Sequence, residues 1–285
     1  MEQTKNKTRM AVLVTSCDAY EDIWFPFFKL MDKYWSDIPY NVYLNTEKKR
    51  YEAEHKNFSV KTLNLSKKQK ADKTTWSKRM LETLEKIEEE YVLILVEDFF
   101  LRERVQTELI ENILDKMDED PLMSQVQFFG TRTNCDNEKE NTIKDAMRIE
   151  CIGDDKAKVC FVPVIWRKRT LKKWLRPHET IWAFESCGAK RAKLWKYKEQ
   201  VYRVYDPAIF NYLWEKGCYC VVNGKWMEHP LLTELFEKND IKVDFSIRGT
   251  ITMEEWDSVT LTTLIKRNGF WGTVKKAFNR FRSLF

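Results

Sequence analysis

The segment Met10 to Ser16 (MAVLVTS) is a continuous apolar run that ends in Ser16-Cys17-Asp18. Runs of this kind form strands buried on both faces, so a parallel sheet is expected. Between Asp22 and Trp35 large apolar residues recur at helical spacing (Ile23, Phe27, Leu30, Met31 and Tyr34), and Pro39 precedes a second strand over Tyr40 to Leu44. A third strand is predicted over Val60 to Leu65. A helix is predicted over Thr75 to Glu90, with Met80, Leu81, Leu84 and Ile87 inward, Thr74 or Thr75 as its cap and acids on its other face. Tyr91 to Val96 (YVLILV) is the strongest buried-strand signal in the chain, and it stops at Glu97-Asp98.

The second half is less regular. The pattern predicts a helix over Val105 to Met117, a short strand over Val126 to Phe129, a polar loop over Asn134 to Glu140 and a strand over Val159 to Ile165. Helices follow over Lys168 to Leu175 and over Trp182 to Trp195, the latter entered from the loop around Pro177. A last strand, Cys218 to Asn223, precedes Gly224-Lys225-Trp226 and would turn Cys218 and Cys220 to one face. The βαβ order of the first half implies an α/β sandwich, and no repeat or linker interrupts it before about residue 257.

From Leu264 the pattern changes. Trp271, Val274, Phe278, Phe281 and Phe285 fall at spacings of three and four, with Lys and Arg on the opposite side. That is the design of a helix lying in an anionic membrane interface, the alternative being a helix docked on the rest of the protein. The organisation expected is therefore one main domain over residues 1–257 and a basic amphipathic tail over 258–285. The tail holds six basic residues and no acid, so it accounts for all of the net charge of +5 and leaves the preceding 257 residues at −1. A uniformly basic nucleic-acid binder is thereby disfavoured. Seven Cys with no CxxC pair indicate reduced thiols, and the polar N-terminus leads straight into a short apolar strand, so a cytoplasmic protein is expected.

Motif absences narrow the chemistry. There is no GxGxxG and no GxxxxGK[ST], and three His exclude HExxH-type sites. The GxSxG elbow of one hydrolase class is also missing. What remains is a carboxylate-centred site. Glu97-Asp98, at the carboxyl end of a central strand, stands where open α/β sheets bind ligands. Paired acids there suit a divalent cation that bridges to a nucleotide diphosphate, since hard cations take oxygen ligands. The plainer alternative is that two acids simply end a strand.

The segments VLVTSCDAYEDIWFPFFKLMDKYW, TWSKRMLETLEKI, LILVEDFFL, PVIWRKRTL and ETIWAFE, in that order, resemble bacterial nucleotide-sugar glycosyltransferases of the GT-A fold that build surface polysaccharides. The resemblance covers roughly residues 10–230. It implies a Rossmann-like α/β/α sandwich with a mostly parallel central sheet. It implies that Ser16, Cys17 and Asp18 line the nucleotide pocket, that Trp76 and Arg79 contact base, ribose or phosphate, and that Glu97 and Asp98 take the place of the acidic metal and diphosphate motif. A cation such as Arg79 at a helix start opposes the macrodipole unless an anion compensates it. Phe99 stands where a strict DxD motif carries its second Asp, which leaves dependence on a divalent cation (Mn or Mg) open.

By the same resemblance Glu185 is the catalytic base of an inverting reaction, deprotonating the acceptor hydroxyl as it attacks the anomeric carbon. Trp182 and Phe184 are suited to stack on a sugar ring, Lys190 and Arg191 to bind phosphate of donor or acceptor, and His229 joins Asp98 as a candidate metal ligand. The function expected is transfer of a sugar from a nucleotide-diphosphate donor, a UDP-sugar, to a carbohydrate or lipid-linked acceptor in polysaccharide synthesis. It would take place at the inner face of the cell membrane. The alternatives are a sugar-phosphate nucleotidyltransferase and a non-enzymatic carbohydrate-binding protein that uses its 11 Trp for stacking.

Overall fold

The first apolar run forms β1 (Met10–Thr15), every residue of which is buried. A computed structural model describes residues 8–64, 74–128, 140–143, 147–151, 159, 163–191, 200–206, 209–215 and 218–257. A single 3-10 turn leads from β1 into α1 (Glu21–Tyr34), which lays Ile23, Trp24, Phe27, Phe28, Leu30 and Met31 on the sheet. β2 (Asn41–Thr46) and β3 (Val60–Asn64) follow, then α2 (Trp76–Leu84), capped by the Thr75 side chain, which accepts from Lys78 N–H. β4 (Tyr91–Val96) lies beside β1 in parallel, with Met10 opposite Tyr91 and Thr15 opposite Val96.

α3 (Thr107–Glu119) and β5 (Met123–Phe128) are followed by the hairpin strands β6 (Glu140–Ile143) and β7 (Met147–Cys151). Next come β8 (Val164–Arg167), α4 (Lys168–Trp174), α5 (Ile181–Arg191) and β9 (Gln200–Asp206). Among the described residues the main sheet has nine strands in the order β3-β2-β1-β4-β8-β5-β9-β7-β6. β8 runs antiparallel to both β4 and β5, so β4 and β5 share the direction of β1 and the sheet is mostly parallel. Alternate residues of β1 face opposite layers. Met10, Val12 and Val14 pack with α1 and α3, whereas Ala11 and Leu13 pack with α2, α4 and α5. This is the α/β sandwich with a mostly parallel sheet that the sequence implies.

The remainder forms small satellites: β10 (Trp214–Glu215) with β11 (Cys218–Tyr219), and β12 (Val221–Val222) with β13 (Lys225–Met227). α6 (Pro230–Lys238) packs back onto the α1 side, and β14 (Thr250–Ile251) adds to β13 before α7 (Met253–Asp257). The turn between β12 and β13 places Gly224 at φ +78°, where a Cβ would be strained.

Several boundaries differ from expectation. The helix predicted to Glu90 stops at Leu84, because Glu90 and Tyr91 N–H both turn to the Arg9 carbonyl and Ile87 enters the core from irregular chain. The strand predicted from Val159 begins at Val164, after Pro163, which has no N–H to give a ladder. The single strand over Cys218 to Asn223 is two, broken at Cys220. Tyr219 pairs with Trp214 whereas Val221 pairs with Trp226. The predicted loop end at Glu140 opens β6, and β9 and α6 carry no counterpart in the sequence reading. The tail, 258–285, lies outside the described residues, as do residues 192–195 of the helix predicted to Trp195.

Candidate functional site

Strand order reverses between β1 and β4: the chain winds outward through β2 and β3, then crosses to the other side of β1. The loops after these two strands diverge and leave a crevice at their carboxyl ends, the usual ligand position in such sheets. A cavity of about 530 Å³ occupies it. Thr15, Ser16 and Cys17 line it from β1, Glu97, Asp98 and Phe99 from β4. Trp76 and Arg79 reach it from α2, and Trp182 and Glu185 from α5.

Glu97 is the deepest acid. Ser16 Oγ donates to its Oε1 at 2.8 Å, and Trp24 Nε1 donates to the same Oγ at 2.7 Å. The hydroxyl thus accepts from the indole and donates to Glu97, which is closer than its other acceptor, the Cys17 carbonyl at 3.5 Å. Burial raises the Glu97 pKa above the carboxylate range, and the adjacent Asp98 charge adds to it. Burial raises Asp98 as well. Two adjacent carboxyls, one buried and one half-buried, resist ionising together, so a proton on Glu97 leaves the charge on Asp98.

Arg79 is the one cation among the described lining residues. Its Nη2 donates to the Ser16 carbonyl at 2.8 Å, its Nη1 pairs with Glu47, and its Nε finds no protein acceptor. Burial lowers its pKa, although a guanidinium remains charged. Trp76 Nε1 donates to Thr15 Oγ1 at 2.9 Å, and its ring lies 5.8 Å from that of Phe184, which fixes it as a wall of the cavity. Burial, followed by the nearby Glu97 charge, raises the Cys17 thiol.

Asp98, Phe99, Trp182 and Tyr20 also border a second cavity of about 440 Å³. Its far side is the small sheet around Val221 and Val222, with Tyr219 and Trp256. Tyr20 is held by Arg248, whose guanidinium lies 4.7 Å from the ring centre while its Nε donates to Asp22 at 2.8 Å and its Nη1 to the Gly224 carbonyl at 2.9 Å. Phe99 meets Tyr212 edge-on at 5.8 Å.

Of the residues singled out from the sequence, Ser16, Cys17, Trp76, Arg79, Glu97, Asp98, Trp182 and Glu185 come together at the first cavity. Five do not join them. Asp18 turns away and accepts backbone N–H groups from Glu47, Lys48 and Lys49 at 3.0 to 3.1 Å, so it holds the turn after β2. Phe184 is fully buried between Trp76 and Trp166 and offers no face to a sugar. Arg191 is buried in a two-pronged pair with the equally buried Glu179, with Nη2 also donating to the Trp174 carbonyl at 3.0 Å, and so cannot take a substrate phosphate. His229 lines neither cavity, and its Nδ1 caps α6 by accepting from Leu231 N–H. Lys190 is exposed on α5 and lines neither cavity.

Tyr20, Tyr219, Trp256 and Arg248 have no role in the sequence reading, and Phe99 enters it only as the departure from a DxD motif. Only the aromatic residues of DAYED and EDFF carried any signal there, through adjacency to the acids. As to metal, the described residues contain no group of three or more His, Cys, Asp or Glu able to hold an ion. Asp98 still fits a hard cation that takes one carboxylate and completes its shell with phosphate oxygens and water.

No family model and no curated protein matches this chain. Among solved structures it is similar to S. aureus TarS 1-349, at 15% identity over 72% of this chain and 60% of that one, with a TM-score of 0.44. The same protein in complex with UDP-GlcNAc aligns at 13% identity over 85% and 69%, TM-score 0.43. The bifunctional IspDF from Campylobacter jejuni aligns at 14% over 72% and 52%, TM-score 0.38. This chain thus spans about three fifths of the length of the first of these.

Proposed function

We propose that this chain is a glycosyltransferase that moves a sugar from a uridine diphosphate donor to a carbohydrate or lipid-linked acceptor with inversion at the anomeric carbon. The observation that carries the reading is the first cavity itself: a switch-point crevice that brings Arg79, the Glu97-Asp98 pair and Glu185 to one space walled by Trp76 and Trp182. The uridine and diphosphate lie along Trp76, Arg79 and the ends of β1 and β4. Three carboxyls against one guanidinium would repel a diphosphate if all were ionised. The proton held on Glu97 removes one charge. Asp98 would hold a divalent cation, Mn or Mg, together with donor phosphate oxygens, and the ion would supply neutralisation of the departing diphosphate.

Glu185 accepts the proton of the acceptor hydroxyl as that oxygen bonds to the anomeric carbon, and the bond from that carbon to the diphosphate oxygen breaks on the opposite face. UDP leaves with the electron pair. The discriminating experiment incubates the protein with UDP-sugars and candidate acceptors and measures UDP release against pyrophosphate release. Pyrophosphate would establish the nucleotidyltransferase alternative, and absence of both products a binding protein. Membrane attachment through residues 258–285 rests on the sequence pattern. Among the described residues no helix is long and apolar enough to cross a membrane.

A further inference from the structure

The second cavity differs from the first in its charge. No Lys or Arg is among its described lining residues, and Asp98 is its one acid. Arg248, which stacks on Tyr20 of this wall, is itself engaged by Asp22 and the Gly224 carbonyl. The rest of the lining is aromatic or aliphatic, with polar edges at the Tyr20 and Tyr219 hydroxyls and at Asn223. Trp182, which also lines it, is 75% exposed, an unusual cost for so large a ring where five of the eight Trp with described side chains are buried.

We infer that this second cavity receives the terminal ring of the acceptor and that this ring is an uncharged sugar, an inference that rests on the transferase reading of the adjoining site. A pyranose has C–H faces that remove aromatic and aliphatic surface from water, and hydroxyls that donate to a carboxylate. The cavity supplies both kinds of partner. A uronic acid, a sugar phosphate or the diphosphate of a lipid carrier would bring its charge to a lining with no Lys or Arg among its described residues, any ion on Asp98 being already taken up by the donor phosphates, at a cost that grows with burial. The volume of about 440 Å³ lies within the span of small-molecule sites.

The test uses the full chain, saturated with UDP, and saturation-transfer NMR titrations with methyl β-glucopyranoside, methyl β-galactopyranoside and methyl β-glucuronide. At least one neutral glycoside is expected to bind, the glucuronide at least about tenfold more weakly than the glucoside. Trp256→Ala should weaken the neutral glycoside about tenfold or more with UDP affinity unchanged, since Trp256 lines only the second cavity. Trp182→Ala, at an exposed position that cannot disturb the core, should also weaken it if Trp256→Ala fails to fold. Equal or tighter binding of the glucuronide overturns the neutral class. Glycoside binding that survives both substitutions, or loss of UDP rather than glycoside in Trp256→Ala, overturns the location. No binding of either neutral glycoside overturns the proposal outright. If UDP itself does not bind while glycosides do, the nucleotide reading fails and the sugar site stands.

Discussion

Ser16 and Glu97 join the carboxyl ends of β1 and β4 through one hydrogen bond of 2.8 Å, with the Trp24 indole behind it donating to the same hydroxyl oxygen. The contact separates two acids adjacent in sequence into different roles. Glu97 is tied to the scaffold, and Asp98 is left to face both cavities.

Asp98→Asn is expected to lower kcat/KM for the donor at least about tenfold, equivalent to roughly 1.4 kcal/mol of transition-state stabilisation. Steady-state kinetics with UDP release as readout decides it. Unchanged kinetics would remove Asp98 from the diphosphate site.

Glu97 binds its proton more tightly in the folded state than in the unfolded chain, whose value is near 4.5. The folded state therefore holds more protons above that pH, and the contribution of Glu97 to stability declines as pH rises from about 5. Glu97→Gln retains an oxygen that accepts from Ser16 and has no proton to lose. Thermal melts between pH 5 and 8 should show a shallower decline for the variant than for the parent chain, and parallel curves would refute the assignment.

Glu185→Gln should preserve UDP affinity and lower turnover by about 10²-fold or more, the usual scale for removal of a general base. Transfer at the parental rate would require another carboxylate as base. Product stereochemistry gives an independent reading, since retention of the donor configuration is incompatible with single displacement.

Arg191→Ala leaves Glu179 buried without its counter-charge and should cost about 3–5 kcal/mol of stability. Lys190→Ala, one residue earlier and exposed, should lie within about 0.5 kcal/mol of the parent. Denaturant titrations of the two variants compare them directly. Similar midpoints would mean that the Glu179 site opens to water.

For the basic tail, paired replacement of Trp271→Glu and Phe278→Glu in the full chain should abolish sedimentation with phosphatidylserine vesicles and leave UDP binding intact. Binding by the parent should weaken with salt, as charges near an anionic surface are screened over about 8–10 Å. Vesicle binding that survives the double substitution would exclude the aromatic stripe as the membrane face.

The sequence made legible what depends on neighbours along the chain. β1 and β4 are solid apolar runs whose ends mark the switch point, and the pattern alone sets Ser16, Glu97 and Asp98 at those ends. Helical spacing also held an unread signal in α5. Phe184, Cys187, Gly188 and Arg191 fall three and four apart and form the buried face, whereas Trp182 and Glu185 share the other. Reading WAFE as a linear motif merged the two faces. The burial of Arg191 could not be inferred, because its partner Glu179 precedes the helix and only the fold sets them together. The second cavity was equally hidden, since Tyr20, Phe99 and Trp256 come from distant segments.

Trp182 and Asp98 belong to the walls of both cavities. An occupant of one that repositions either side chain alters the free energy of filling the other, and by linkage that effect is equal in both directions. If the donor orders the Trp182 ring, the acceptor binds a surface that the empty protein holds only part of the time, and kinetics should follow an ordered sequence with the nucleotide first. A single exposed indole would then keep a donor without an acceptor from being treated the same as a complete pair.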